Sequence, residues 1–331
     1  MTATSICILG ITGGVGGSVA TSLLRHGFRV RALVRDPLAV SRKWINHPNV
    51  DLVPGDAMSR ADVARAIEGC TAIFHGVNPA GYRNWDTLVL PMIENTIAAA
   101  RSAGGARVVL PGTVYNFDPA ATPVLDEHSM QHPLGQKGAI RYEVEQRLEQ
   151  ATEMGVPVLI LRAGDFFGPD ARSSWFHQSM VRPGRPVRRL INPGKGVGHS
   201  WAYLPDLSEA FARLLLISDQ LRPFERLQFR GVWDADGAQM AAAIGSVLGR
   251  KVPEYGFPWW LMRLLAPFGG FPAAVREVEP YWRHPVRLDN GSLVALLGME
   301  PRTPLETAIR HTLAAYGCDE RIGDVATLQI I

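Results

Sequence analysis

The sequence predicts an α/β protein, a doubly wound parallel sheet followed by a smaller C-terminal α/β lobe. Short apolar runs alternate with amphipathic stretches through the first half, the pattern of repeated βαβ units. Runs such as Val158-Leu-Ile-Leu161 are apolar without alternation, as strands covered on both faces are. Glycines cluster directly after the first apolar run, where such a sheet turns into its first helix.

In chain order, strands are expected at Ser5–Gly10, Arg29–Val34, Val50–Val53, Ala72–Gly76, Arg107–Leu110 and Val156–Leu161. Helices are expected to begin near Gly16, Ser59, Trp85 and Gly135. Ser59-Arg-Ala-Asp62 has the chemistry of a helix start, a serine to cap the first amides and an acid near the positive end. Beyond residue 165 Pro, Gly and Trp become dense. Helical stretches there, Pro205–Ile217, Gly237–Leu248 and Thr303–Tyr316, are separated by short strands and loops. Residues 1–165, with part of 196–232 returning to them, form the expected sheet domain; 166–195 and 233–331 form the smaller lobe.

Composition excludes several classes. The chain has 331 residues, a 47% hydrophobic and 20% charged content, and a net charge of +3, which fits a folded domain and marks no general binder of nucleic acid or anionic membrane. Cys7, Cys70 and Cys318 are far apart, so neither a disulfide framework nor a zinc cluster is expected, and a reducing compartment follows. The histidines, including His75, His177 and His199, show no metal-ligand spacing. The N-terminus lacks the basic start and long apolar core of a signal peptide. The most membrane-like run, from Phe257 to Pro267, is broken by Arg263 and falls short of the roughly 20 residues a span needs. The expectation is a cytoplasmic protein with a small-molecule substrate, no nucleic-acid or membrane partner, and a homodimer as an allowed assembly.

Gly10-Ile-Thr12-Gly13-Gly14-Val15-Gly16 follows the first strand and opens a helix. Glycine is needed there for a tight turn, for backbone approach to a pyrophosphate, and for close packing of helix on strand. The turn therefore predicts a Rossmann-type dinucleotide site at Gly10, Thr12, Gly13, Gly14, Val15 and Gly16. After the second strand stands Arg35, suited to the 2′-phosphate of NADP, and then Asp36, suited to the free ribose of NAD. Asp36 also reads as a turn residue before Pro37, so NADP is preferred and NAD is the alternative. Arg31 either supports the phosphate or lies over adenine.

The Gly-x-x-Gly-x-x-Gly spacing resembles the short-chain dehydrogenase/reductase superfamily in its extended and atypical branches, which include the NAD-dependent epimerase/dehydratase family. Gly55-Asp56 is similar to that family's adenine-contacting pair, with Ala57 beside it. Phe74-His75-Gly76-Val77 is similar to the strand end beside the ribose and nicotinamide. Leu161-Arg162-Ala-Gly-Asp165-Phe-Phe-Gly168-Pro169 and Ser200-Trp-Ala-Tyr-Leu-Pro-Asp206 resemble later family segments. The resemblance covers roughly residues 5 to 215, and Leu297-Gly-Met-Glu-Pro301 with Pro304-Leu-Glu306 also fits.

Extended members usually carry a Tyr-x-x-x-Lys pair whose tyrosine moves the proton. On the family pattern the tyrosine falls here on Leu134, the lysine on Gly138, and the catalytic serine or threonine on Pro111. Lys137-x-x-x-Arg141 instead resembles the lysine helix of isoflavone reductase-like proteins. That implies Lys137 beside the nicotinamide; the plainer alternative is an exposed lysine at a helix start. Thr113, Tyr115 and Asp165, at the sheet's carboxyl edge, are the other catalytic candidates. The basic loop from Arg182 to Arg189 reads as solvated, with a phosphate or carboxylate clamp as the alternative, and the aromatic stretch of Trp259, Trp260, Phe268 and Phe271 reads as core, with a substrate lid or dimer contact as the alternative. Two functions follow: an NAD(P)-dependent oxidoreductase or epimerase/dehydratase-like enzyme with non-standard catalytic residues, or a non-catalytic NADP(H)-binding sensor.

Overall fold

The computed structural model describes residues 4–79 and 84–318; the ends of the two expected lobes, 1–3 and 319–331, lie outside that range, as do 80–83. The first half runs β1 (Ser5–Leu9), α1 (Gly14–Arg25), β2 (Arg29–Val34), α2 (Arg42–Ile45), β3 (Val50–Pro54), α3 (Arg60–Ile67), β4 (Ala72–His75), α4 (Trp85–Ser102) and β5 (Arg107–Gly112). Then come β6 (Val124–Leu125), α5 (Gln136–Glu153), β7 (Val158–Arg162), β8 (Asp165–Phe167), β9 (Leu190–Asn192) and β10 (His199–Tyr203). The chain continues with α6 (Leu204–Leu216), β11 (Phe224–Gln228), β12 (Val232–Asp234), α7 (Gln239–Leu248), β13 (Glu254–Gly256) and α8 (Trp259–Leu265). It closes with α9 (Gly270–Arg283), β14 (Arg287–Leu288), α10 (Gly291–Leu297) and α11 (Leu305–Ala315).

Seven strands form one parallel sheet in the order β11-β7-β5-β4-β1-β2-β3. Alternation of side chains along each strand feeds two cores. Ile6 and Ile8 of β1 join Val19 and Leu23 of α1 and Leu207 and Phe211 of α6. Cys7 and Leu9 face the other side, with Val63 of α3, Ile93 of α4 and Leu148 of α5. Both faces are covered, which is why the strands read as unbroken apolar runs.

Three small sheets, β12-β10-β8, β13-β9 and β14-β6, build the rest. Their core gathers Phe167, Phe176, Trp201, Met240, Ile244, Trp282, Ile309 and Leu313. The aromatic stretch departs from expectation. Trp259 is half-buried, but Trp260, Phe268 and Phe271 are 64%, 87% and 63% exposed, so these three are surface and not core. In the basic loop Arg182, Arg185, Arg188 and Arg189 are exposed, with Val187 buried as its anchor. No helix among the described residues is long and apolar enough to cross a membrane.

Candidate functional site

Three glycines of the first turn meet three different constraints. Gly10 has φ +98°, and a Cβ there would come within 2.8 Å of the Gly76 carbonyl oxygen. A Cβ on Gly16 would lie 2.2 Å from the Gly10 carbonyl oxygen, so helix and strand could not close. Gly13 is exposed, and the nearest described atom to its Cβ would be the Gly10 oxygen at 3.3 Å. Gly13 is the N-cap of α1, with no side-chain cap and no acid in the first turn. The amides that a helix start leaves unpaired are thus open to an anion. Thr12 is exposed beside them and Val15 is partly buried against the core. Gly14 is held from the other side: a Cβ would meet the Asp170 carbonyl at 2.2 Å, so the loop after β8 reaches this turn.

Around the cradle, the remaining cofactor candidates stand at the carboxyl ends of their strands. Arg35 follows β2 and is exposed. Asp36 is occupied in its own turn, its Oδ1 accepting from Leu38 N–H at 2.9 Å. Arg31 corrects both of its readings: Nε and Nη2 donate to the carbonyls of Ala66 and Arg65, and Nη1 pairs with Asp51 at 3.1 Å. It ties β2 to α3 and β3. Asp56 is exposed; Ala57 is buried, its carbonyl accepting from Asn95. Gly76 N–H donates to the Leu9 carbonyl at 2.9 Å, which sets Gly76 and Val77 beside Gly10.

The catalytic candidates converge less neatly. Lys137 is not an exposed lysine: its side chain is 13% exposed, and Nζ pairs with Glu277 Oε2 at 2.7 Å. Its backbone N–H donates to Glu277 Oε1 at 2.6 Å. Gly135, the N-cap of α5, has no side chain to offer, so Glu277 of α9 caps that helix from across the molecule. A Cβ on Gly138 would lie 2.1 Å from the Tyr115 carbonyl oxygen, so that carbonyl sits where a lysine side chain at 138 would have to begin. Leu134 is 52% exposed.

Thr113 Oγ1 accepts from Tyr115 N–H at 3.3 Å, and the Thr113 carbonyl accepts from Arg162 Nη1. Arg162, buried at the end of β7, also pairs with buried Glu145 at 2.8 Å. Asn116 and Gln131 donate to the same carboxylate. This network locks the ends of β5 and β7 to α5. Tyr115 packs its ring on Tyr281 at 4.9 Å, and Tyr281 Oη hydrogen-bonds to the carbonyls of Tyr115 and Phe117. Asp165 opens β8, with Oδ2 2.6 Å from His199 Nε2. His199, Glu277 and Tyr281 carry no local motif. Each is brought in by a contact more than thirty residues away in sequence, and for His199 that contact follows from the parallel pairing of β10 with β8.

A family model described as NAD(P)H-binding matches residues 10–168. The dihydroflavonol 4-reductase of Zea mays is 29% identical over 47% of this chain and 53% of its own. The chain therefore spans about half the length of that curated relative. A Synechocystis protein named provisionally as a dihydroflavonol 4-reductase is 23% identical over 91% of both chains. The structure of UDP-glucose 4-epimerase from Brucella ovis in complex with NAD superposes with a TM-score of 0.71 at 15% identity, covering 96% of this chain and 99% of that one. The cradle from Gly10 to Gly16 lies within the region matched as NAD(P)H-binding, and the chain is similar in sequence to dihydroflavonol 4-reductases and in fold to an NAD-bound epimerase.

Proposed function

We propose that the protein is an NADP(H)-dependent oxidoreductase acting on a small carbonyl or hydroxyl substrate held between the sheet's carboxyl edge and the smaller lobe. The observation that carries this is the first turn, where Gly13 leaves the amide end of α1 open while Arg35 is exposed and Asp36 is bound into its own turn. Those residues fit a dinucleotide, since Gly13 is exposed and no side chain caps the amides that follow it. Bound there, the nicotinamide supplies hydride exchange.

The chain's own groups then divide the work. Amides of Gly14, Val15 and Gly16, with Thr12, take the pyrophosphate, and Arg35 takes the 2′-phosphate. Asp56 and Ala57 border the adenine; Gly76 and Val77 border the ribose. Thr113, Tyr115 and Asp165 face the substrate. Lys137, committed to Glu277, serves as a tie between α5 and α9 and not as the proton carrier. The relatives named for a dihydroflavonol make that compound a sensible member of a test panel.

Calorimetry with NADPH and NADH, followed by NADPH oxidation with aldehydes, ketones and a dihydroflavonol, tests the reading. Tighter NADPH binding and turnover of one panel member are expected. Failure to bind either dinucleotide overturns it. Tight NADPH binding with no turnover across the panel favours a sensor.

A further inference from the structure

Resting on the oxidoreductase reading, we infer that Asp165 and His199 form the proton-handling pair of the crevice, in the role of the absent tyrosine. His199 Nε2 is 2.6 Å from Asp165 Oδ2, and the two side chains are 7% and 18% exposed. The imidazole lies flat on the Trp282 ring, with centroids 3.6 Å apart and planes 9° from parallel. Trp201 meets it edge-on at 5.1 Å. The aromatic floor fixes the ring, and the carboxylate is the more open of the two groups.

Strand geometry puts the pair at the sheet's carboxyl edge. Arg162, three residues before Asp165, pairs in register with Gly112, the residue before Thr113. Gly164 and His199 line one small cavity with Val114 and Tyr281, so His199 abuts the strand end that carries Thr113 and Tyr115. A Cβ on Gly164 would lie 2.2 Å from the Ser200 carbonyl; that glycine lets the strands of Asp165 and His199 close together.

A buried acid–base pair is a poor choice for stability alone. Desolvation consumes much of the attraction, and an apolar pair would pack as well on these tryptophans. The other edge groups are engaged: Lys137 with Glu277, Thr113 Oγ1 with Tyr115 N–H, and His75 with Thr96 at 2.8 Å. In the oxidative direction one substrate O–H bond breaks as one O–H bond forms on Asp165, and the pair releases that proton to water. In the reductive direction the same proton passes from Asp165 to the carbonyl oxygen. The hydrogen and electron pair on carbon are exchanged with the nicotinamide. Asp165 is the catalytic residue; His199 is a positioning residue.

The test uses the full chain with NADPH and the panel ketone or dihydroflavonol that the wild type turns over. Asp165→Asn is expected to lower kcat about a hundredfold while KM and NADPH affinity change less than about threefold. His199→Gln is expected to cost about tenfold in kcat, and ¹⁵N-histidine spectra are expected to show the His199 ring signal moving when Asp165 is made Asn. The inference is overturned if both variants keep kcat within about threefold, or if kcat falls only together with NADPH affinity and melting temperature. A wild type that binds no NADPH, or turns over nothing, is the failure of the oxidoreductase reading, and the pair's role falls with it.

Discussion

A methyl group placed on Gly13 or on Gly16 separates ligand from fold. At Gly16 the Cβ would strike a backbone oxygen at 2.2 Å, and backbone cannot step aside; Gly16→Ala is expected to cost about 2–3 kcal/mol in urea unfolding. At Gly13 the nearest described atom is 3.3 Å away and the residue is exposed. Gly13→Val should therefore cost less stability than Gly16→Ala and leave the protein folded, while abolishing NADPH and NADH binding by calorimetry. Wild-type affinity in the folded variant would move the dinucleotide elsewhere. Arg35 separates the two cofactors by the same logic. A charge-assisted bond to phosphate is worth roughly 1.5–3 kcal/mol, so Arg35→Ala should weaken NADPH about ten- to a hundredfold and leave NADH nearly unchanged. Equal losses would make Arg35 structural. These residues were legible in the sequence because their constraint is local: a strand, a turn and a helix within a dozen positions. Arg31 was not, because its partners Arg65, Ala66 and Asp51 come from other elements.

At the level of elements, periodicity located most boundaries to within a residue or two. β1 runs Ser5–Leu9 where Ser5–Gly10 was expected, α4 starts at Trp85, and Ser59 caps α3 through Asp62 N–H. The start of α5 was found at Gly135, yet its cap was not. Glu277 comes from 140 residues away, and a cap supplied from so far along the chain leaves no signature beside the helix. Losing it is expected to destabilise the fold by about 1–2 kcal/mol, the range for an N-cap, so Glu277→Ala and Lys137→Met should both lower the melting temperature. Because both remove one contact, the double variant should lose clearly less than the sum. Hydrogen exchange should quicken in the first turn of α5. A hundredfold fall in turnover for Lys137→Met with unchanged stability would instead return Lys137 to the nicotinamide.

For the whole molecule, the sheet's two covered faces were legible from unbroken apolar strands, whereas the contacts joining sheet and smaller lobe were not, being long-range and polar. One consequence of covering both faces is a buried histidine at the end of β4. Burial, with the charge of Arg141 adding to it, lowers the pKa of His75 from 6.5 to about 3. The unfolded chain therefore binds more protons than the folded one between those values. Stability from this residue is fully present above pH 6.5 and falls as pH drops, by at most about 1.4 kcal/mol per pH unit. Glu209 acts in the same direction but lower. Burial pushes its carboxyl up, yet hydrogen bonds from Arg213, His26 and Ser22 outweigh that and bring it from 4.5 to about 2. Asp206, Asp234 and Glu300, raised mainly by burial, act in the opposite sense. Comparison with His75→Gln, which keeps a polar atom for Thr96, isolates the histidine from all of them. Urea unfolding at pH 7.5, 6.5 and 5.5 should show the wild type losing about 1 kcal/mol more than the variant over the last step. Parallel curves for the two proteins would mean that His75 takes up its proton in the folded state as readily as in the unfolded chain, and the ring would have to be reached by water.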